Sequence, residues 1–387
     1  MSRTIQDQAA IVGIGQTELS SKGGLEEDEL TLACLAISNA IDDAGLSPAD
    51  VDGLALFDME AKREVEVARN LGLGEITFFA EVGYGGGAAC GTVGHAAMAV
   101  ASGQCDVAVA WRARKRAAKS TRVWSQAPKR LDDSDQWTRP AGLLRPVDEI
   151  AMLTRRYMHE YGVTREQLAN VALTLRRHAN RNPSAAMYEK TLDLEQYLSA
   201  RWISEPLCLF DNCLESDGAL AVVITSAERA RDLPRKPVYI HAYAQGLPQQ
   251  HQIMSNYFCE DPLRGPSHVA ARRLWANSEL APKDVSCAQI YDAFSPLIPL
   301  SLEGYGFCER GEGVAFTEDG GIEWNRGRLP VNTSGGSLSE AYVHGFNHVI
   351  EGVRQMRGES PCQVEDASSC LVTSGECVPT SALLLRN

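Results

Sequence analysis

The sequence predicts an α/β protein made of two copies of one unit, each a mostly parallel sheet covered by helices. An internal repeat is the first of three observations behind that expectation. "AGLSPADVDGLALFD", ending at Asp58, aligns without a gap with "SELAPKDVSCAQIYDAF", which passes through Asp292: Leu46 matches Leu280, Pro48 matches Pro282, Asp50 matches Asp284, Val51 matches Val285 and Asp58 matches Asp292. Secondly, each copy has the same local grammar. A helix with apolar residues at helical spacing (Leu32, Leu35, Ala36 and Ile41; Val269 and Leu274) leads into a Pro-containing turn and then an apolar β-run, "VDGLALF" or "CAQIYDAF". Thirdly, a Gly-rich loop, a helix and a strand recur as "GYGGGAACGTVGHAAMAVASGQCDVAVAW" and as "NTSGGSLSEAYVHGFNHVIEGVRQMRG" followed by "SSCLVTSGE". Alternation of this kind builds βα units.

The halves are placed at 1–235 and 236–387, with a helix expected from about Cys90 to Ser102 in the first. An insertion of about 112–204 interrupts that half and carries the helical patterns "DEIAMLTRRYMHEYGV" and "TREQLANVALTLRRHANRNP". Insertions of that length between core elements cover or build binding sites. The early "IVGIGQTEL" has Glu18 where a dinucleotide fingerprint needs its third glycine, so no such site is expected there.

Across 387 residues, 44% hydrophobic and 22% charged residues fit a globular protein rather than a disordered or membrane one. No apolar run approaches the roughly 20 residues of a spanning helix, and the N-terminal stretch lacks the apolar core of a signal peptide; a cytoplasmic protein with no membrane partner is expected. A net charge of −13 excludes nucleic acid as the main partner, since duplex binding needs Lys and Arg to neutralise phosphates. "WRARKRAAKSTR", Trp111 to Arg122, is the exception, read as a solvated loop or as a local site for an anionic ligand. Eleven scattered cysteines form neither a disulfide framework nor a zinc site. Cys208 and Cys213 have no second ligand pair nearby, and His344 and His348 stand at helical spacing with no further ligand, so no metal is expected.

Together "AAIVGIGQTELS", "YGVTREQLANVALTLRRHANRNP", "ISEPLCLFDNCLESDGALAVVITSAERA", "YDAFSP" and "NTSGGSLSEAYVHG" resemble the thiolase superfamily, in particular its thiolase-like lipid-transfer branch near the sterol carrier protein thiolases. The resemblance covers almost the whole chain. It implies the duplicated thiolase fold, two βαβαβαββ halves in five αβαβα layers, together with a homodimer and an acyl-CoA ligand.

Departures from the family pattern point to the chemistry. The position of a thiolase's nucleophilic Cys, at the start of a helix whose dipole favours thiolate, is Gly86 in this sequence. Cys90 lies further along, read as a packed structural residue. The catalytic His of the second-half loop is replaced by Tyr342 and its Pro by Val343. The Asn or His of the preceding element is replaced by Tyr291 in "YDAF". In "LVTSGECV", Val372 or Thr373 stands at the family's C-terminal Cys, while Gly375 keeps the backbone role.

This pattern resembles the aldolases of steroid side-chain degradation. They cleave a β-hydroxyacyl-CoA to a ketone and a short acyl-CoA such as propionyl-CoA. Retro-aldol cleavage needs no acyl-enzyme and so no Cys; it needs a base, a stabilised enolate and an acid. A phenol is neutral at pH 7, with a pKa of about 10, so it serves directly as an acid and needs a neighbouring cation, dipole or donor to serve as a base. Tyr291 and Tyr342 are the expected proton carriers, with Tyr243 as a third candidate. Gly86, Gly375, Gly335 and Gly336 are the expected ligand-contacting glycines. Asp292, recurring as Asp58, is read as structural. No cofactor is expected beyond the CoA thioester substrate, and the resemblance implies a zinc-ribbon and OB-fold partner associated with an acyl-CoA hydratase. Two alternatives stand beside this reading: a degradative thiolase using a relocated Cys, and a non-catalytic acyl-CoA or sterol-binding protein.

Overall fold

The computed structural model describes residues 5–58, 64–116, 135–250, 254, 257 and 259–387. The chain begins with β1 (Ala9–Gln16), α1 (Glu29–Ala44), β2 (Gly53–Phe57), α2 (Glu64–Leu71), β3 (Phe78–Val82), α3 (Ala88–Ala101) and β4 (Val107–Lys115). The insertion holds α4 (Asp135–Thr138), α5 (Pro146–Tyr161), α6 (Arg165–Ala179), α7 (Leu194–Ser199) and a ribbon of β5 (Trp202–Ser204) and β6 (Leu207–Cys208). β7 (Asp217–Ser226) and α8 (Ala227–Ala230) follow. Then come β8 (Val238–Gly246), α9 (Ser267–Ala276), β9 (Cys287–Gln289), α10 (Leu297–Gly304), α11 (Gly313–Thr317), α12 (Gly336–Ser339), α13 (Phe346–Arg357), β10 (Ser369–Thr373) and β11 (Thr380–Arg386).

Among the described residues the main sheet has nine strands in the order β3-β2-β4-β7-β1-β8-β11-β10-β9. It is symmetric about its centre. Outward from β1 the neighbours are β7, β4, β2 and β3; outward from β8 they are β11, β10 and β9, with an isolated parallel bridge from Ala288 to Val331 where a further strand would lie. β1 and β8 join the two parts antiparallel at Ala10–Tyr239 and Ile11–Val238.

Local chemistry explains the elements. The Asp28 side chain caps α1 by accepting from Thr31 N–H at 2.8 Å, and Gly45, at φ 69°, ends it. The buried face of that helix, Leu32, Ala33, Ala36, Ile37, Ala40, Ile41 and Ala44, packs on the sheet; truncating Ile37 to Ala would cost about 2–5 kcal/mol. Leu35, expected on that face, is 44% exposed. The two glycines of "IVGIGQTEL" receive a packing explanation: a Cβ on Gly13 would lie 2.1 Å from Ala40 O, and one on Gly15 2.0 Å from Ala36 O. They let α1 lie directly on β1.

α3 and α13 occupy the layer between the two parts of the sheet, where Val93, Ala97, Phe346, Val349 and Val353 share one core with residues of β4, β7, β8 and β11. The outer faces carry separate cores, one with α1 and one with α9. The result is five layers, helix, sheet, helix, sheet, helix. α3 is buried nearly all round, which its run of Ala, Gly and Val permits.

The insertion starts later than expected because β4 continues through Lys115, placing Arg112 and Arg114 on a buried strand. This corrects the solvated-loop reading of the basic run; its residues 117–122 lie outside the described residues. α5 and α6 bear out the two helical patterns, and Thr164 and Gln167 form a reciprocal capping box at the start of α6. Val147, Ile150 and Leu153 of α5 pack in one core with Tyr291, Phe294, Tyr342 and Cys377, so the insertion covers the site.

Candidate active site

Tyr291 follows β9, its N–H donating to Thr373 Oγ1 at 3.1 Å. Asn332, at φ 50°, braces the same strand end: Ile290 N–H donates to Asn332 Oδ1 at 2.6 Å and Asn332 Nδ2 donates to Ile290 O at 2.8 Å. Tyr342 lies in the loop between α12 and α13, where its N–H donates to Ser216 Oγ at 2.9 Å and its carbonyl accepts from Arg114 Nη1 at 3.2 Å. These anchors bring the two phenol oxygens to 2.6 Å, with the ring centroids 6.2 Å apart in an edge arrangement. Both rings are buried.

Gly86 lies directly against this pair. A Cβ there would stand 2.2 Å from Tyr291 Oη, so the absence of a side chain at Gly86 is what makes room for the tyrosine hydroxyl. Gly345, at φ 82°, faces the other side of the Tyr291 ring, where a Cβ would come within 2.8 Å. The N–H of Gly375 donates to Gly86 O at 2.9 Å, clasping the two glycine loops together. Here Gly375 pins the Gly86 loop, and its own N–H is occupied. Gly335 (φ 110°) and Gly336 (φ 61°) are fixed by packing: a Cβ would meet Ala179 Cβ at 2.6 Å in the first case and Asp292 Oδ2 at 2.3 Å in the second.

Asp292 is the staple of that loop. Its carboxylate accepts from Ser337 N–H at 2.9 Å, Leu338 N–H at 3.3 Å and His348 Nε2 at 2.9 Å. His344, at φ 51°, turns the other way and meets Arg112 Nη2 at 2.9 Å through Nδ1. Burial and the neighbouring arginines, Arg114 and Arg112, push its pKa well below the usual imidazole value, so the ring is neutral and its Nδ1 accepts. The two histidines have separate partners and do not converge on a common centre. Among the described residues no group of three or more His, Cys, Asp or Glu is arranged to hold a metal ion.

Electrostatics around the pair oppose one another. Burial raises the pKa of both phenols, while the guanidinium of Arg114 pulls both down. Its Cζ stands 4.7 Å from the Tyr342 ring centroid, and its Nη2 is 3.6 Å from Glu215 Oε2. Arg112 and Arg114 are the site residues that sequence reasoning missed. Their alternation in "VAVAWRARK" was the available signal, because period two on an apolar strand places both on one face.

Cys90 is fully buried in α3; its N–H donates to Ser374 Oγ at 2.9 Å and its thiol faces Val372 O at 3.4 Å. Burial pushes that thiol up to about 12, the opposite of what a nucleophile requires. Cys213 packs beside the tyrosines in the same core, and burial and Glu215 hold it as a thiol too. Tyr243 is placed apart from the pair, further along α3. Its ring lies against Gly94, where a Cβ would come within 2.2 Å, and edge-on to His95 at 6.4 Å, and its hydroxyl faces that of Tyr84.

Two described residues of the segment between β8 and α9 reach the site's rim: Met254 N–H donates to Cys377 O at 2.7 Å, and Tyr257 Oη to Glu149 O at 2.6 Å. Glu376, next to Gly375, accepts from Ser267 N–H at 3.1 Å at the start of α9, and burial raises its carboxyl to about 7.

A duplicated α/β scaffold with two glycine loops clasped over a phenol pair defines the class of protein. The chain matches the family "Thiolase, N-terminal domain" over residues 9–198 and "Thiolase C-terminal domain-like" over residues 249–384. It is 48% identical over 389 residues to 17-hydroxy-3-oxo-4-pregnene-20-carboxyl-CoA lyase of Mycobacterium tuberculosis, covering 98% of this chain and 100% of that one. To a steroid side-chain-cleaving aldolase of Thermomonospora curvata it is 47% identical over 383 residues, 97% of each chain. A solved structure described as an Ltp2-ChsH2(DUF35) aldolase superposes with a TM-score of 0.93 at 46% identity, covering 99% of this chain and 98% of that one. The chain belongs to the thiolase superfamily, on the branch of the steroid side-chain-cleaving aldolases. Among the described residues no helix is long and apolar enough to cross a membrane.

Proposed function

We propose that this protein cleaves the β-hydroxyacyl-CoA side chain of a steroid-type substrate by retro-aldol reaction, leaving a ketone and releasing a short acyl-CoA such as propionyl-CoA. The observation that carries the reading is the 2.6 Å contact between the hydroxyls of Tyr291 and Tyr342, at positions where thiolases keep polar catalytic groups, beside a glycine in place of the thiol. The names of the similar lyase and aldolase supply the substrate class.

Roles follow from position. Tyr291 Oη abuts Gly86, whose loop is the proposed cradle for the thioester oxygen, so Tyr291 lies at the thioester end and protonates the enolate carbon. Tyr342, at the other end and bearing the phenolate of the pair while Tyr291 keeps its proton, accepts the proton of the substrate hydroxyl. As that proton leaves, the carbinol C–O becomes a carbonyl, the bond between the α and β carbons breaks, and its electron pair moves into the thioester enolate. Tyr291 then gives its proton to the α carbon, and transfer across the short contact between the phenols resets the pair. Each such proton transfer by a positioned side chain is worth about 10²–10⁴-fold in rate. Tyr243 is retained as a third candidate, its phenol beside that of Tyr84 and held against α3 at Gly94.

The proposal extends to the assembly: a homodimer built on halves that divide at 235/236, with a zinc-ribbon and OB-fold partner. The two-part name of the similar Ltp2-ChsH2(DUF35) aldolase supports a second chain of that kind. To test the activity, the partner-bound protein is offered a steroid β-hydroxyacyl-CoA with a tertiary hydroxyl, and products are read by mass spectrometry. Wild type should release the ketone and the short acyl-CoA. Tyr342→Phe should release neither while still binding the CoA thioester. Undiminished cleavage by that variant would overturn the assignment, and binding without turnover by wild type would leave a non-catalytic acyl-CoA or sterol binder.

A further inference from the structure

Phenols buried in an apolar core make poor bases, because the phenolate loses its hydration there. The side chain that faces this problem is Arg114. It is fully buried on β4, its guanidinium lies 4.7 Å from the centre of the Tyr342 ring, and its Nη1 donates to the Tyr342 carbonyl at 3.2 Å. A guanidinium on an aromatic face both orients the ring and favours negative charge on it. Ordinary packing would supply an apolar residue here at far lower desolvation cost, as "VAVAW" does earlier in the strand.

We propose that Arg114 is a positioning residue of the reaction, holding the Tyr342 ring in register with Tyr291 and supplying the fixed buried charge against which the pair gives up a proton to become a shared anion. This rests on the aldolase reading above. The groups around the pair are Arg114 from β4, Cys213 and Glu215 from the segment before β7, Asp292 after β9, Cys377 after β10, and His344 from the loop of Tyr342, with Arg112 behind it. Asp292 is engaged by His348, His344 is neutral, and the thiols are held protonated by burial. That leaves Arg114 and Glu215 as the charges that set the balance. Glu215, 3.6 Å from Arg114, partly offsets its neighbour.

If the working base is the anionic pair, kcat/KM climbs with pH towards the ionisation of the pair, and anything that raises that ionisation lowers the rate at every pH below it. Arg114→Met should lower kcat/KM about tenfold or more at neutral pH, with the CoA-thioester Kd unchanged. Arg114→Lys, which keeps the charge, should recover most of the loss. Glu215→Gln should act in the opposite direction, moving the rising limb to lower pH. Where Arg114→Met fails to fold, as read by thermal melting, the Lys and Gln variants carry the test.

A readout without substrate separates this inference from the aldolase reading. The tyrosinate ultraviolet difference between wild type and Tyr342→Phe is titrated upward in pH, then repeated in the Arg114→Lys and Glu215→Gln backgrounds. A shift to lower pH in Glu215→Gln with little change in Arg114→Lys supports the role of Arg114 even if no cleavage is found. Cleavage with unmoved pH profiles in folded Arg114→Met and Glu215→Gln overturns it while leaving the aldolase intact.

Discussion

At the scale of single residues, the glycine at 86 and the phenols at 291 and 342 fit one another as a unit. Gly86 is required sterically by Tyr291, and under the proposed mechanism Tyr291 shares its proton with Tyr342. Replacing either tyrosine by Phe removes one end of the proton path, and kcat/KM is expected to fall at least about 10²-fold in each case. Cys90→Ala should behave differently: activity within a few-fold of wild type, with a modest fall in melting temperature from the small cavity. Steady-state kinetics of the three variants check this, and loss of turnover in folded Cys90→Ala would restore the relocated-thiol alternative. Substitution is the cleaner probe, because Cys213 packs beside the pair and an alkylating reagent there would block the site by bulk alone. That Tyr291 and Tyr342 lie together was legible through the two motifs that carry them. Arg114 was not, because charge-run reasoning counts charges and ignores strand period, and burial of an arginine is set by partners distant in sequence such as Tyr342 and Glu215.

At the scale of elements, the site is held by loops whose glycines answer to particular neighbours. Gly86→Ala would drive a methyl into the Tyr291 hydroxyl, and the expected result is a folded protein with at least about tenfold lower kcat, since small displacements at a reacting centre are costly. The loop bearing Tyr342 is also tied by Glu340. That buried carboxyl accepts from Ser334 Oγ at 2.6 Å and Asn182 Nδ2 at 3.3 Å, and burial raises it from 4.5 to about 7. A carboxyl raised in the folded state stabilises fully below its unfolded value and loses that contribution as pH climbs through the folded one. Stability from this group should therefore decline between about pH 4.5 and 7, by up to about 3 kcal/mol. Glu340→Gln should remove that dependence, as read from chemical denaturation at a series of pH values; an unchanged slope would reject the linkage. Helices were readable where caps and periodicity agreed, as in α6. The end of β4 was misplaced because Arg112 and Arg114 look like loop residues by composition, and Leu35 fits the helical period yet faces outward.

At the scale of the whole molecule, duplication sets the stage. Two matching parts of one sheet enclose α3 and α13, and the Gly86 and Gly375 loops meet at their junction, so the site needs both halves folded. That architecture was visible in the repeat linking Asp58 to Asp292, since a shared offset over several positions reflects a shared backbone. The fate of that aspartate was legible in kind, as a structural residue, although its partners in the loop, Ser337, Leu338 and His348, were not. In the proposed mechanism, carbon–carbon scission proceeds by proton transfer between phenols, without an acyl-enzyme. Turnover of the partner-bound protein in the complete absence of free CoA, followed by intact-protein mass spectrometry of the quenched reaction, tests it most directly. Full release of ketone and acyl-CoA with no mass added to the protein is the predicted result; a requirement for free CoA, or an acyl group found on any cysteine, would contradict it.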